Sequence, residues 1–129
     1  MSERLELILL AAFAGGLGAV ARFVIDGAVT RRLARRTRGP SYPYGILLVN
    51  VSGSLLIGML VGVAGPLHPL ATVLGVGALG GYTTFSTASF DTVRLLQRGR
   101  QLAALANGFG QLVLAIVAAG VGLALGSLV

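Results

Sequence analysis

The run Gly80-Gly81-Tyr82-Thr83-Thr84-Phe85-Ser86-Thr87-Ala88-Ser89-Phe90 sets two adjacent glycines and a dense group of hydroxyls inside a segment otherwise apolar enough to cross a bilayer. Lipid offers the backbone no hydrogen-bonding partner, so a helix weakened there must be buried against protein or line a polar path. Gly80 and Gly81 weaken the helical ladder, and the hydroxyls of Thr83, Thr84, Ser86 and Thr87 can satisfy the backbone groups that are freed. Local unwinding would leave carbonyl oxygens facing inward, which is how membrane proteins build small-cation sites from main chain alone. The nearest carboxylates, Asp26 and Asp91, fall near helix ends and do not compete as ligands. Phe85 is either a packed or lipid-facing ring, or a ring whose positive edge meets an anion between flanking hydroxyls. A small hard anion would gain most from such an edge.

Other polar groups lie at membrane depth, where they are costly. Asn50 has Ser54 four residues later on the same helical face. Its amide can donate two hydrogen bonds, to an anion or to a neighbouring helix, and interhelical glue and pore lining both remain open. Asn107 and Gln111, again four apart, repeat the pattern with the same two readings. Arg22, followed one turn later by Asp26, is either an interfacial anchor or helix tether, or part of a vestibule that attracts anions. His68 sits in the turn Gly65-Pro66-Leu67-His68-Pro69 and reads as a solvated loop residue, since a lone histidine cannot assemble a metal site.

The elements that must position these groups follow from composition. Of 129 residues, 55% are hydrophobic, and the mean hydropathy is +0.89. That places the chain among all-α integral membrane proteins. A spanning helix needs about 20 mostly apolar residues, and four segments qualify: about 7–29, 44–65, 69–96 and 102–128. They use nearly all of residues 1–129, so a single four-helix transmembrane unit is expected, with no soluble domain and no separable signal peptide. Cysteine is absent, which excludes disulfides and thiolate chemistry. Glycine and alanine gather on faces: Ala14, Gly15, Gly16, Gly18 and Ala19 on the first segment, Gly53 and Gly58 on the second, and Gly75, Gly77, Gly80 and Gly81 on the third. Gly120, Gly122 and Gly126 continue the theme on the fourth. Small residues let helices approach closely where lipid removes the hydrophobic drive, so most of these are expected to serve packing.

All ten basic residues are arginines, against four acids. Arg31, Arg32, Arg35, Arg36 and Arg38 crowd the loop after the first segment, and Arg94, Arg98 and Arg100 the loop after the third. Clusters beside membrane ends set topology and touch anionic headgroups, and no nucleic-acid partner is expected. Both loops lie on one side, while the other side has Arg4, offset by Glu3 and Glu6, and the short turn. The positive-inside rule therefore puts both termini outside.

Three blocks together resemble the Fluc (CrcB-type) fluoride channel family. Gly15-Gly16-Leu17-Gly18-Ala19-Val20-Ala21-Arg22-Phe23 is similar to its GGxxGAxxRY segment, Gly45 through Asn50 with Gly53-Ser54 to GTxxVNxxGS, and the third-segment run to GGxTTFSTF. The resemblance implies a passive channel in the plasma membrane that exports toxic cytoplasmic fluoride and is not an enzyme. It implies an antiparallel (inverted) dimer of four-helix subunits, each with a broken third helix, around a structural sodium ion. On this chain the sodium would be held by the backbone carbonyls of Gly80 and Thr83. Asn50 would donate to fluoride, Phe85 would offer its ring edge, Thr84, Ser86 and Thr87 would lie near the path, and Arg22 would serve structure or the vestibule.

The departures are informative. Ala88 stands where the signature has a second phenylalanine, and Asn107 and Gln111 stand where tyrosine and serine are expected. Phe90 is no substitute, because two residues turn a helical side chain by about 200°. A chain that inserts both ways to form an antiparallel homodimer should carry balanced loop charge, whereas this one is biased, so a heterodimer with a second, oppositely biased Fluc-like subunit is expected. Two rivals are a small multidrug-type transporter, which needs an acid at depth that residues 13–20 lack, and a holin-like structural membrane protein, which needs no hydroxyl-rich break. No nucleophile–base pair, ligand cluster or phosphate loop points to enzymatic chemistry.

Overall fold

A computed structural model of the chain describes residues 2–36 and 42–129. Arg38 of the first arginine loop lies outside the described residues. Every regular element among the described residues is helical. Helix α1 spans Ser2–Ala34 and α2 spans Tyr44–Ala64. Residues 71–82 form α3, wound as a π-helix over Ala71–Leu79 and as an α-helix over Gly80–Tyr82. Helix α4 covers Phe85–Gln97, and α5 covers Gln101–Gly126 with a π-helical turn at Ala106–Gly110.

Helices α1, α2 and α5 are each long and apolar enough to cross a membrane. The third apolar stretch is divided between α3 and α4, and neither part is long enough alone. This is a multi-pass membrane protein. Helix α1 has 33 residues. At 1.5 Å per residue it rises about 50 Å, well beyond a hydrocarbon core of about 30 Å, so its final turns carry Arg31 and Arg32 past the apolar layer. Two glycines at φ +80° and +71°, Gly65 and Gly99, close α2 and α4 in the left-handed region that side chains with a Cβ avoid. After Gly99, the Arg100 N–H donates to Leu95 O at 2.9 Å and turns the chain back into α5.

Among the described residues, most large apolar side chains are exposed on the outside of the bundle, and only Ile46, Val49, Ala71, Leu95 and Ala104 form a buried apolar core. Backbone approach at glycine holds the helices together instead. One seam joins α1 to α3: a Cβ on Gly81 would overlap the backbone of Gly15, and one on Gly18 that of Ala78. A second joins α2 to α5: a Cβ on Gly122 would overlap Leu55 O, and one on Gly58 Ala119 O. Gly16 and Gly120, grouped with the packing glycines in the sequence, meet nothing within 4 Å, so the packing expectation does not hold for them within this chain. On α5, Gly122 and Gly126 face α2 and Gly120 does not.

Gly81→Val and Gly122→Val should each lower stability by about 1–3 kcal/mol or more, because backbone neighbours cannot rotate away as a side chain could. Gly120→Ala should stay within about 0.5 kcal/mol of the parent. Thermal unfolding in detergent micelles measures both, and equal tolerance at Gly81 and Gly120 would contradict the seam.

Candidate functional site: the interrupted helix and its cavity

The chain leaves the helix at Thr83 and Thr84, two residues after the glycine pair. Gly80 keeps helical angles (φ −64°, ψ −38°), whereas Thr83 (φ −76°, ψ 157°) and Thr84 (φ −150°, ψ 123°) are extended. The glycines do not break the ladder; Gly81 is held in it by its contact with Gly15. The interruption falls where α2 offers replacement partners. The Asn50 Nδ2 donates to Thr84 O at 2.9 Å, and the Thr84 N–H donates to Asn50 Oδ1 at 2.7 Å. Both backbone groups of an extended residue are thus satisfied by one buried amide, where an unpaired group would cost about 1–3 kcal/mol. Two further contacts fix the break to α2. Ser52 Oγ and the Tyr82 hydroxyl lie 3.1 Å apart, and Gly53 leaves room for the Thr83 methyl and the Tyr82 ring.

Thr84 also starts α4. Its hydroxyl accepts the Thr87 N–H at 3.3 Å and donates to Thr87 Oγ1 at 3.1 Å, which caps the new helix. With that hydrogen placed, Ser86 is the donor in its 3.2 Å contact with Thr84 Oγ1, and the Thr87 hydroxyl retains a hydrogen to donate. These bonds redirect two donors. In an uninterrupted helix Gly80 O would accept from the Thr84 N–H and Thr83 O from the Thr87 N–H. Here Asn50 takes the first and the Thr84 side chain takes the second, so both carbonyls lose their helical donors. The Thr83 N–H and hydroxyl turn back instead to Leu79 O, at 2.9 and 3.0 Å.

Beside the break lies a cavity of about 280 Å³ that brings Asn50, Thr83, Thr84 and Phe85 together with Ala88, Asn107 and Gln111. Asn107 is fully buried, and its Nδ2 donates to Ala88 O (3.0 Å) and Thr92 Oγ1 (2.9 Å), which ties α5 to α4. Its nitrogen is interhelical glue. Its Oδ1, like Gln111 Oε1, is buried without a hydrogen-bond partner. Phe85 is 86% exposed, so its ring faces away from the core of its own chain, and Ser86 is exposed beside it. Ser86, Thr87 and Arg22 do not line this cavity. Arg22 Nε is buried without a hydrogen-bond partner, while Asp26 accepts from the Thr30 hydroxyl at 3.4 Å and packs at Gly45. At the arginine-rich end a second cavity, of about 270 Å³, gathers Asp26, Tyr42, Asp91, Arg94 and Arg98. Burial, and secondarily Tyr44, raises the Tyr42 phenol above its ordinary range. Sequence reasoning misses Tyr82 and Thr92; Tyr82 stands beside the glycine pair as a signal, and Thr92 has none.

Residues 9–123 match the family model described as CrcB-like protein, Camphor Resistance (CrcB). The chain belongs to the CrcB family. Among relatives of this CrcB chain is a protein of Leifsonia xyli named fluoride-specific ion channel FluC 1, 47% identical over 126 residues, which covers 95% of this chain and 88% of the relative. A Mycobacterium tuberculosis protein named fluoride-specific ion channel FluC 2 is 45% identical over 105 residues, covering 81% and 79%. One of Syntrophotalea carbinolica, named fluoride-specific ion channel FluC, is 41% identical over 123 residues, covering 92% and 95%. The CrcB match takes in the whole of the break, its α2 anchor and the α5 wall of the cavity.

Asn50→Leu in this CrcB chain should cost about 2–5 kcal/mol, because it strands two buried backbone groups at Thr84. Amide exchange at Thr84 should accelerate in step with the loss. Hydrogen exchange in micelles measures it, and unchanged protection at Thr84 would mean that the amide is not what holds the break.

Proposed function

We propose that the chain is one subunit of a fluoride-selective channel that lets cytoplasmic fluoride leave the cell passively across the plasma membrane. The observation that carries this reading is the Asn50–Thr84 pairing, which opens a polar, hydroxyl-rich interruption beside a cavity in a chain related to proteins named fluoride-specific channels. Asn50 uses one N–H on Thr84 and keeps the other for an anion. The Phe85 ring edge and the hydroxyls of Thr84, Ser86 and Thr87 line the rest of the route, with Thr87 retaining a hydrogen to donate. Fluoride enters acidified cells as neutral HF, dissociates, and leaves down its gradient, driven outward by the membrane potential. Residues 13–20 carry no acid, so proton-coupled exchange lacks its titratable group.

A second subunit completes the pore. Gly80, Phe85 and Ser86 are exposed beside an interrupted backbone, which lipid cannot satisfy. In an antiparallel pair spanning the membrane four times per subunit, the carbonyls of Gly80 and Thr83 from both chains would hold a sodium ion. Neutral oxygens suit a monovalent cation, and no cluster of three or more acidic, histidine or cysteine ligands occurs among the described residues. The ion would fix the two breaks against each other. Ala88 leaves open space, and the Asn107 amide hydrogens are already spent on Ala88 O and Thr92 Oγ1, which leaves the Gln111 amide to donate on that wall. The favoured partner is therefore a different Fluc-like chain of opposite arginine bias that supplies the missing surface.

Proteoliposomes loaded with fluoride or chloride test the reading with an ion-selective electrode. Fluoride efflux should far exceed chloride efflux when the chain is reconstituted with its partner, Phe85→Ile should reduce it strongly, and replacing all sodium by N-methylglucamine should weaken it. Equal loss of chloride and fluoride would overturn the channel assignment. Full fluoride efflux from this chain alone would overturn only the need for a different partner.

A further inference from the structure

Two grooves on the outer surface share a wall. The first, about 420 Å³, is apolar and is formed by Val29 and Leu33 of α1, Tyr44, Leu47, Leu48 and Val51 of α2, and Leu114 of α5. The second, about 530 Å³, is formed by the same Val29 and Leu33 together with Arg32, Arg35 and Arg36. The two grooves thus adjoin at Val29 and Leu33, one apolar and lined from three helices, the other walled by three exposed arginines. The excess length of α1 explains the division: residues near Val29 still face hydrocarbon, and the arginines one to two turns later stand at headgroup depth.

We propose that this composite groove binds one anionic phospholipid, with an acyl chain along Leu47, Leu48, Val51 and Leu114 and the phosphate against Arg32, Arg35 and Arg36. Charge and depth together select this occupant. The guanidinium groups hold phosphate oxygens in bidentate pairs, and basic pockets at the membrane surface collect acidic headgroups. A free phosphate would leave the apolar part uncovered, and a zwitterionic lipid would bring a cation toward the arginines. Tyr44, the half-exposed first residue of α2, lines the groove at the helix end nearest the arginines, where aromatic side chains with a polar tip favour the interface. The lipid would brace the far end of α1 against α2 and α5, and this role does not depend on which ion the channel conducts.

Native mass spectrometry of the intact protein, released from micelles containing equal phosphatidylglycerol and phosphatidylcholine, tests the assignment. Phosphatidylglycerol should be retained preferentially, and Arg32→Gln with Arg36→Gln should weaken that retention on the order of fivefold per arginine. Val51→Trp, which fills the apolar part and leaves the arginines in place, should weaken it as well. Inorganic phosphate should not displace the lipid. Thermal unfolding of each variant without added lipid shows whether it is folded, and a folded pair of variants that binds phosphatidylglycerol like the parent would overturn the proposal. Equal retention of the two lipids, displacement by phosphate, or groove variants that dissociate subunits with lipid retention unchanged would overturn it too.

Discussion

A polypeptide in lipid has no solvent to fall back on, so an interrupted helix needs a named substitute for every hydrogen bond it gives up. In this protein the Asn50 amide supplies that substitute, accepting from and donating to the same residue, Thr84. The surrounding geometry depends on it. Thr84 can be extended because both its backbone groups are satisfied from α2, and being extended it can cap α4 with its side chain. Once those donors are taken, the carbonyls of Gly80 and Thr83 are available to something other than the chain's own helix. Serving as interhelical glue does not bar Asn50 from facing the cavity, since a primary amide has more hydrogen-bonding positions than Thr84 occupies.

The glycine seams make this arrangement possible at a distance. An amide on α2 reaches the backbone of the interrupted segment only if α2 and that segment lie close together, and Gly53 provides the clearance for Thr83 and Tyr82. On the opposite side Gly15, Gly18, Gly77 and Gly81 press α3 against α1. The third apolar stretch is therefore clamped between α1 and α2 at its interruption and over the turn that precedes it. A soluble protein would use large buried side chains for this purpose; here they face lipid, and atom-to-atom approach of backbones takes their place.

Much of this is legible in the residues. Helicity, membrane class and the presence of an interruption near the hydroxyl run come from hydropathy and from the dual weakness of glycine and threonine in a lipid-immersed helix. The position of the interruption does not. Glycine reads as the breaker, but a glycine that lets another backbone approach is stabilised in the helix by that contact, and only the three-dimensional partner of Gly81 decides between the two. Asn107 shows the same limit. Its type announces a polar role, yet whether the amide nitrogen faces the cavity or α4 depends on Ala88 O and Thr92, fifteen or more residues away in sequence. Arg22 shows it too: Asp26 follows one turn later in the sequence, but its carboxylate accepts from the Thr30 hydroxyl and packs against α2 at Gly45.

The π-helical turn at Ala106–Gly110 has its own implication for how such a chain tolerates change. A π turn accommodates a residue more than an α turn does, and in an α-helix each added residue rotates the next by about 100°. Asn107 addresses α4 from within this turn, while Gly122 and Gly126 address α2 from beyond it. The two halves of α5 thus obey separate phase relations, joined by one surplus residue. Deleting it would keep the helix intact and its hydropathy unchanged, yet would set one of the two contact faces out of phase with its neighbour, a defect invisible to any measure of composition.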